Sequence, residues 1–199
     1  MRGKRHKRDI IQFQTDLATN LVGLYTDLKN KTYIHGPYSA FNISDPKPRH
    51  IHKASVRDRV LHHLICGELY WYFHPRFIHD SYSYRLGKGV HKGLDRFRYF
   101  ARVVSKNHTR TCYVLKCDIR KFFANVDHSV LYKILGRHVA DHDIRELIKK
   151  IVSSFYSTQP GIGLPLGNLT SQFLVNIYMH EFDMYMKQEL RVKYYIRYT

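Results

Sequence analysis

The run Val114-Leu115-Lys116-Cys117-Asp118-Ile119-Arg120-Lys121-Phe122-Phe123 decides the fold. Residues 111–118 are rich in β-formers (Cys112, Tyr113, Val114, Leu115, Cys117) and hold no breaker, so they predict a strand, central in its sheet. An Asp at the end of a buried strand has its carboxylate at a sheet edge, where it can meet a divalent cation; the same Asp can equally cap the next turn. Phosphatases that set Asp-x-Asp after an apolar strand are excluded, because the second position is Arg120, which binds no metal.

Downstream, Asp127 predicts the cap of a helix carrying Leu131, Ile134 and Leu135. Asp143 predicts another cap, with Ile144, Leu147, Ile148, Ile151, Val152 and Phe155 as the apolar stripe. Residues 161–167 read as a Gly/Pro loop, 168–190 as one long helix and 192–198 as a strand. The sequence stops on that strand, which suggests a fragment. Upstream, Ile10, Phe13, Leu17, Leu21, Leu24 and Leu28 recur at helical steps and predict one amphipathic helix ending near Asn30. A short extended stretch, 38–43, precedes Asp45-Pro46-Lys47-Pro48, and its return strand begins at 49–51. Ser55 predicts the cap of a helix that turns Val56, Val60, Leu64 and Ile65 inward, with one of His62 and His63 facing the core. Residues 77–89 read as loop. A third helix then buries Leu94, Phe97, Ala101 and Val104 and shows Lys92, Arg96, Arg98 and Arg102 elsewhere.

The 199 residues carry 33 Lys plus Arg against 16 Asp plus Glu, a net charge of +17. The excess is uneven: 21 basic and 8 acidic residues fall in 1–110, against 12 and 8 in 111–199. Such a field attracts polyanions, either nucleic acid or an anionic membrane surface. At 44% hydrophobic and 14% aromatic residues the chain can bury a core, which argues against disorder. No apolar run is long enough to cross a bilayer, and the basic N-terminus lacks the apolar stretch of a secretory signal. Three scattered cysteines (Cys66, Cys112, Cys117) point to free thiols in a reducing cytoplasm.

Several separated blocks agree on a family. The run from Cys117 to His128 resembles the third conserved block of bacterial reverse transcriptases, which carries their first catalytic Asp. Asp45-Pro46-Lys47-Pro48-Arg49-His50-Ile51, with 57–63, is similar to the first block, and 77–89 to the second. Gly163-Leu164-Pro165-Leu166-Gly167-Asn168-Leu169-Thr170-Ser171-Gln172 resembles the fourth, and Tyr194-Tyr195-Ile196-Arg197-Tyr198-Thr199 the approach to the fifth, Tyr-x-Asp-Asp. The sequence ends one residue short of that pair. Five blocks in order cover nearly the whole chain.

The resemblance implies an α+β, helix-rich right-hand polymerase with a small antiparallel sheet: fingers over 1–110 and an incomplete palm over 111–199. It implies an RNA-directed DNA polymerase using two Mg²⁺ ions, with an RNA template, a primer or cDNA end and deoxynucleoside triphosphates as partners, no membrane, and an accessory subunit left open. A bacterial or phage-encoded, cytoplasmic enzyme is implied, the fragment itself inactive. Asp118 and the Ile119 carbonyl become metal ligands. Lys47 and Arg49 clamp the triphosphate, and Phe123 stands beneath the sugar as a gate against a ribose 2′-hydroxyl; as residue types alone the cations also read as solvated turn charges, Lys47 more readily than Arg49, and the aromatic more commonly as a core residue. Arg85, Lys88, Lys92 and Arg96 are implied nucleic-acid contacts, and Gly87-Lys88-Gly89 is either a phosphate-receiving helix start or a plain turn.

The fourth block reads Leu166-Gly167-x-x-x-Ser171-Gln172 where most reverse transcriptases have Gln-Gly-x-x-x-Ser-Pro. That form is similar to the enzymes of diversity-generating retroelements, and losing an amide beside the nucleotide site implies looser checking. The alternative is an RNA-binding or maturase-like module that kept the fold without the catalysis.

Overall fold

The computed structural model describes residues 6–44 and 47–198. Asp45 and Pro46 of the first block, and Thr199, lie outside them. The chain begins with α1 (Arg8–Thr15) and α2 (Leu17–Lys29), where the sequence predicts a single helix. The break falls at Asp16, with φ −116° and ψ 42°. Thr15 bonds back to the Ile11 carbonyl at 3.1 Å and Asn20 Nδ2 takes the freed Phe13 carbonyl at 3.0 Å, so side chains supply what a continuous helix would. Ile10, Phe13 and Leu24 are buried as predicted, whereas the bend leaves Leu17 and Leu21 exposed.

Strands β1 (Ser39–Ile43) and β2 (Arg49–Lys53) form the predicted antiparallel hairpin, with Phe41 opposite Ile51 and Ile43 opposite Arg49. Helix α3 (Val56–Phe73) starts on Ser55, whose Oγ accepts from the Asp58 amide and donates to Asp58 Oδ2 at 2.6 Å. Its inward face is Val56, Leu61, Ile65, Cys66, Leu69 and Phe73; Leu64 turns outward, contrary to the sequence reading, because it stands beside the exposed stripe that ends in Trp71. His62 is buried and His63 exposed.

Helix α4 (Val90–Val104) begins after the positive-φ Gly89. It buries only Phe100; Leu94 is exposed, and Phe97 and Val104 are exposed along a cleft, not packed under a sheet. The cause lies in residues 111–118, which take no strand pairing among the described residues and leave Tyr113 and Leu115 about nine-tenths exposed. A strand exists only through a neighbour's hydrogen bonds, and β-propensity does not supply one. Residues 192–198 likewise stay irregular except for one parallel bridge, Ser81 to Arg197.

Helices α5 (His128–His138), α6 (His142–Ser153) and α7 (Leu169–Met184) complete the set. Asp127 caps α5 as predicted, but α6 is capped by Asp141, whose Oδ1 accepts from Ile144 at 2.9 Å. Asp143 sits in the first turn and pairs instead with Lys31 at 2.7 Å. Helix α7 gives way to a π-turn, Tyr185–Glu189, where the sequence predicts continuous helix. Its middle is apolar on nearly every side because α3 and α5 both pack on it. Phe73, Leu61, Phe173, Ile177, Leu131 and Val152 meet there as the core. The architecture is α+β, helix-rich, with one small antiparallel sheet among the described residues.

Candidate active site

Two sets of backbone bonds draw distant blocks together. Past Lys121, in a left-handed conformation at φ 49°, the chain closes a short 3-10 turn, Phe122–Asn125. The 157–164 segment clamps that turn: Leu164 N donates to Phe123 O at 2.7 Å, Gly163 N to Val126 O at 2.8 Å and Ser157 Oγ to Ala124 O at 2.5 Å. Further along the same loop, Leu166 O accepts from His52 N on β2 at 2.9 Å, while Asn168 donates to His52 O and accepts from Ala54 N. Gly167 makes this approach feasible: it has φ +99°, and a Cβ there would stand 2.6 Å from Ile51 Cγ2. The hairpin, the aromatic turn and the Gly/Pro loop are thereby one unit.

A cleft of about 1150 Å³ runs beside that unit. Arg49, Asp118, Ile119, Phe123 and Leu166 line it together, with Phe97, Ala101 and Val104 of α4 and Tyr194 to Tyr198 also on its walls. Arg49 and Asp118 are exposed; Phe123 is half-buried, its ring 6.1 Å from Phe122, and both rings pack on the core. Gly167 sits behind Leu166 and does not line the cleft, and neither does the exposed Lys47.

The four remaining basic residues stand apart from it. Arg85 is half-buried and gives its fork to the carbonyls of Ile78, Ser81 and His74, and burial lowers its pKa. Arg96 grips Asp80 through Nε at 2.9 Å and Nη2 at 3.2 Å. Lys88 donates to His79 O at 2.9 Å, and Gly87-Lys88-Gly89 forms a turn closed on Arg85 O. Lys92 is exposed without an ion-pair partner among the described residues.

Reverse transcriptases generally use Mg²⁺, an ion that takes several hard oxygen ligands. Among the described residues no group of three or more His, Cys, Asp or Glu side chains could hold a metal. One carboxylate and one carbonyl, Asp118 and Ile119, do not fit a two-ion site by themselves.

Sequence reasoning missed a buried ion pair beside the cleft. Arg197 donates to both Asp183 oxygens through Nε (2.8 and 3.0 Å), to Oδ2 again through Nη2 (2.8 Å), to Asn176 Oδ1 at 3.0 Å and to Ser81 Oγ at 3.1 Å. Tyr195 adds its hydroxyl to Asp183 at 2.8 Å. The backbone of Arg197 pairs with Tyr82 N and Asp80 O, so the 194–198 segment is tied to 80–83 and to α7 at once. Its signal in the sequence was Asn176 and Asp183, polar residues seven apart and so on one face of α7.

A second buried network joins the segment before β1 to α3. Asp58 accepts from the Tyr33 hydroxyl at 2.7 Å, Ser55 Oγ at 2.6 Å and Gly36 N at 3.2 Å. Burial opposes its charge, but those donors prevail and hold its pKa below the usual range. Beside it His35 and His62 face each other, Nε2 to Nε2, at 3.2 Å, and burial with the neighbouring His35 pushes His62 down to about 4.

The reverse transcriptase (RNA-dependent DNA polymerase) family model matches residues 43–199. The chain is 24% identical over 175 residues to the group II intron-encoded protein LtrA of Lactococcus lactis subsp. cremoris, covering 84% of this chain and 28% of that protein. It is 25% identical over 184 residues to Protein YkfC of Escherichia coli K12, covering 88% and 47%. An uncharacterized 91 kDa protein in the cob intron of Schizosaccharomyces pombe is 25% identical over 138 residues, covering 67% and 16%. The chain thus spans less than half the length of each of these relatives. With the family model matching well over half of its residues, the chain belongs to the reverse transcriptase family.

Proposed function

We propose that the chain forms the fingers (1–110) and the first part of the palm (111–199) of a right-hand, RNA-directed DNA polymerase that copies an RNA template into cDNA. The single observation carrying this reading is the meeting, in one cleft, of Arg49, Asp118, Phe123 and Leu166, four side chains from three blocks far apart in sequence. Arg49 on the rigid hairpin would grip the triphosphate through its planar fork. Phe123, fixed by the clamp on its turn, would close the floor beneath the deoxyribose. Asp118 and the Ile119 carbonyl would each give one oxygen to a Mg²⁺ site that they do not complete by themselves. Lys47, Lys88 and Lys92, none of which lines the cleft, would meet phosphates outside it, while Arg85 and Arg96 would act by holding the 74–85 loop and Asp80.

Binding tests the reading on the 199-residue chain. An RNA-templated primer should bind in a salt-sensitive way, and Arg49→Ala should weaken deoxynucleoside triphosphate binding by about tenfold, as for a charge-assisted contact of roughly 1.5 kcal/mol or more. Primer extension is assayed on a form that continues through an Asp-Asp pair after Thr199, where Asp118→Asn should abolish synthesis. Extension unaffected by Asp118→Asn sinks the assignment. RNA binding without any extension favours the maturase-like alternative, which the intron-encoded relatives support.

Low fidelity is the finer proposal. Leu166 offers the cleft an apolar side chain, its polar carbonyl being spent on His52. Leu166→Gln should lower misincorporation opposite template adenine; an equal error rate at every template base removes the idea.

A further inference from the structure

Between Asp95 and Asp118 the chain carries six Lys and Arg and no acid. Arg98, Arg102, Lys106 and Arg110 recur at every fourth position, and all four are exposed. Several cations elsewhere are paired: the half-buried Lys53 and Arg59 with Asp9 and Arg57 with Asp27, and the exposed Lys31 with Asp143 and Arg137 with Glu181. Arg98 has Asp95, but Arg102, Lys106 and Arg110 have no ion-pair partner among the described residues.

The row is also built. After α4 the backbone takes three consecutive left-handed residues, Lys106, Asn107 and His108, at φ 49°, 57° and 68°. Non-glycine residues adopt this conformation at a cost, and three in succession persist only when surrounding bonds hold them. Here Ser105, buried, supplies them: its Oγ accepts from His108 N at 2.9 Å and its carbonyl from Arg110 N at 2.9 Å, while Asn107 N returns to Arg102 O at 2.8 Å. The turn fixes Lys106 and Arg110 beyond the end of the helix in a rigid knuckle.

Its direction is the decisive point. Phe97, Phe100, Ala101 and Val104 of α4 line the cleft. At 3.6 residues per turn, Arg98 and Arg102 stand more than a quarter turn from the centre of that face. A nucleic acid lying in the cleft meets the apolar side of α4, and the cations point elsewhere.

We propose that the row Arg98, Arg102, Lys106 and Arg110 is a second RNA-docking surface, outside the cleft, that takes the phosphate backbone of a folded, A-form RNA. The surface rests on the reading that this chain handles RNA, and extends it to RNA that is not the strand being copied. Arg98 and Arg102 stand about 6 Å apart along α4, a spacing that suits successive phosphates of one strand, and Lys106 and Arg110 extend the charge past the helix end; nothing on the row reads bases, so recognition is by backbone and shape.

The experiment is fluorescence anisotropy on the full 199-residue chain with a labelled RNA hairpin, titrated at several salt concentrations, against the variant Arg102→Gln/Lys106→Asn/Arg110→Gln. Asn tolerates the left-handed backbone at 106, and circular dichroism confirms that the variant folds. The expected result is at least tenfold weaker binding near 0.1 M salt and a salt slope smaller by about two to three, one for each lost phosphate contact. Lys133→Gln, exposed on α5 and on neither surface, should leave hairpin affinity within about twofold. If the wild-type chain binds the hairpin and the triple variant binds it equally, the surface is wrong while the RNA reading stands. If the wild-type chain binds no RNA, both fall. Vesicles containing phosphatidylserine form the last arm: loss of vesicle binding with RNA binding intact assigns the row to a lipid surface and overturns the proposal.

Discussion

Gly167 is the residue on which the cleft wall turns, because a side chain there meets two separate obstacles. Its backbone sits at φ +99°, and Ile51 Cγ2 occupies the space a Cβ would take. Gly167→Ala should lower stability by about 2–4 kcal/mol in urea unfolding, combining a strained φ with an overpacked contact. Adding Ile51→Ala, which removes Cγ2 and leaves the next Ile51 atom at 3.8 Å, should recover the contact part and not the backbone part. Full recovery in the double variant would show that φ costs nothing there; no recovery would show that the loop does not lie on β2. The resemblance named Gly167 but could not supply this reason, since neither the positive φ nor Ile51, far off in sequence, is a local property.

Helix α3 is where pH acts first. His62 on this helix is buried with its Nδ1 lacking a partner among the described residues, and its Nε2 meets His35 from the segment before β1. Two imidazoles so opposed share one proton, and Asp58, Tyr33, Tyr38 and the nearby His63 complete the titratable groups around them. Held at about 4 in the fold against about 6.5 unfolded, His62 is neutral in both states above pH 6.5, and its share of stability is complete there. As pH falls below 6.5 the unfolded chain takes up a proton that the fold refuses, and stability drops until about pH 4, by roughly 3 kcal/mol. Denaturant midpoints measured from pH 7.5 to 4.5 check this, and His62→Gln should flatten the profile. Flattening is partial, because burial also lowers the pKa of His52, His63, His74 and His180. A profile identical in wild type and variant removes His62 from the account. The carboxylates Asp58 and Asp80, held below their usual range, contribute their losses only at lower pH.

At the scale of the molecule, periodicity and caps made most helices legible: Ser55 and Asp127 start α3 and α5 as read, and the apolar pattern of 144–152 gives α6. The hairpin was legible for the same reason, two short runs flanking a Pro-rich turn. The failures share a cause. Residues 111–118 and 192–198 have strand composition, but pairing is a property of two segments: the first finds no partner among the described residues and the second only a single parallel bridge to Ser81. The unpaired sheet in turn exposes the face of α4 that the sequence assigned to a core. Residues of the candidate site were legible through the family blocks alone; no pattern of charges or periodicity would have selected Arg49 or Leu166, which meet Asp118 only through the Leu166–His52 bond and the clamp on Phe123.

The Arg197 anchor has one mechanical consequence. Asp80 is gripped through its side chain by Arg96 of α4 and through its carbonyl by the amide of Arg197, whose guanidinium is bolted to Asp183 of α7. Helix α4 therefore cannot swing against α7 without rupturing a two-pronged ionic grip or peeling the tyrosine-rich tail from its seat. A load borne on the outer cations of α4 is thereby geared, joint by joint, to α7, the helix on which the core is built.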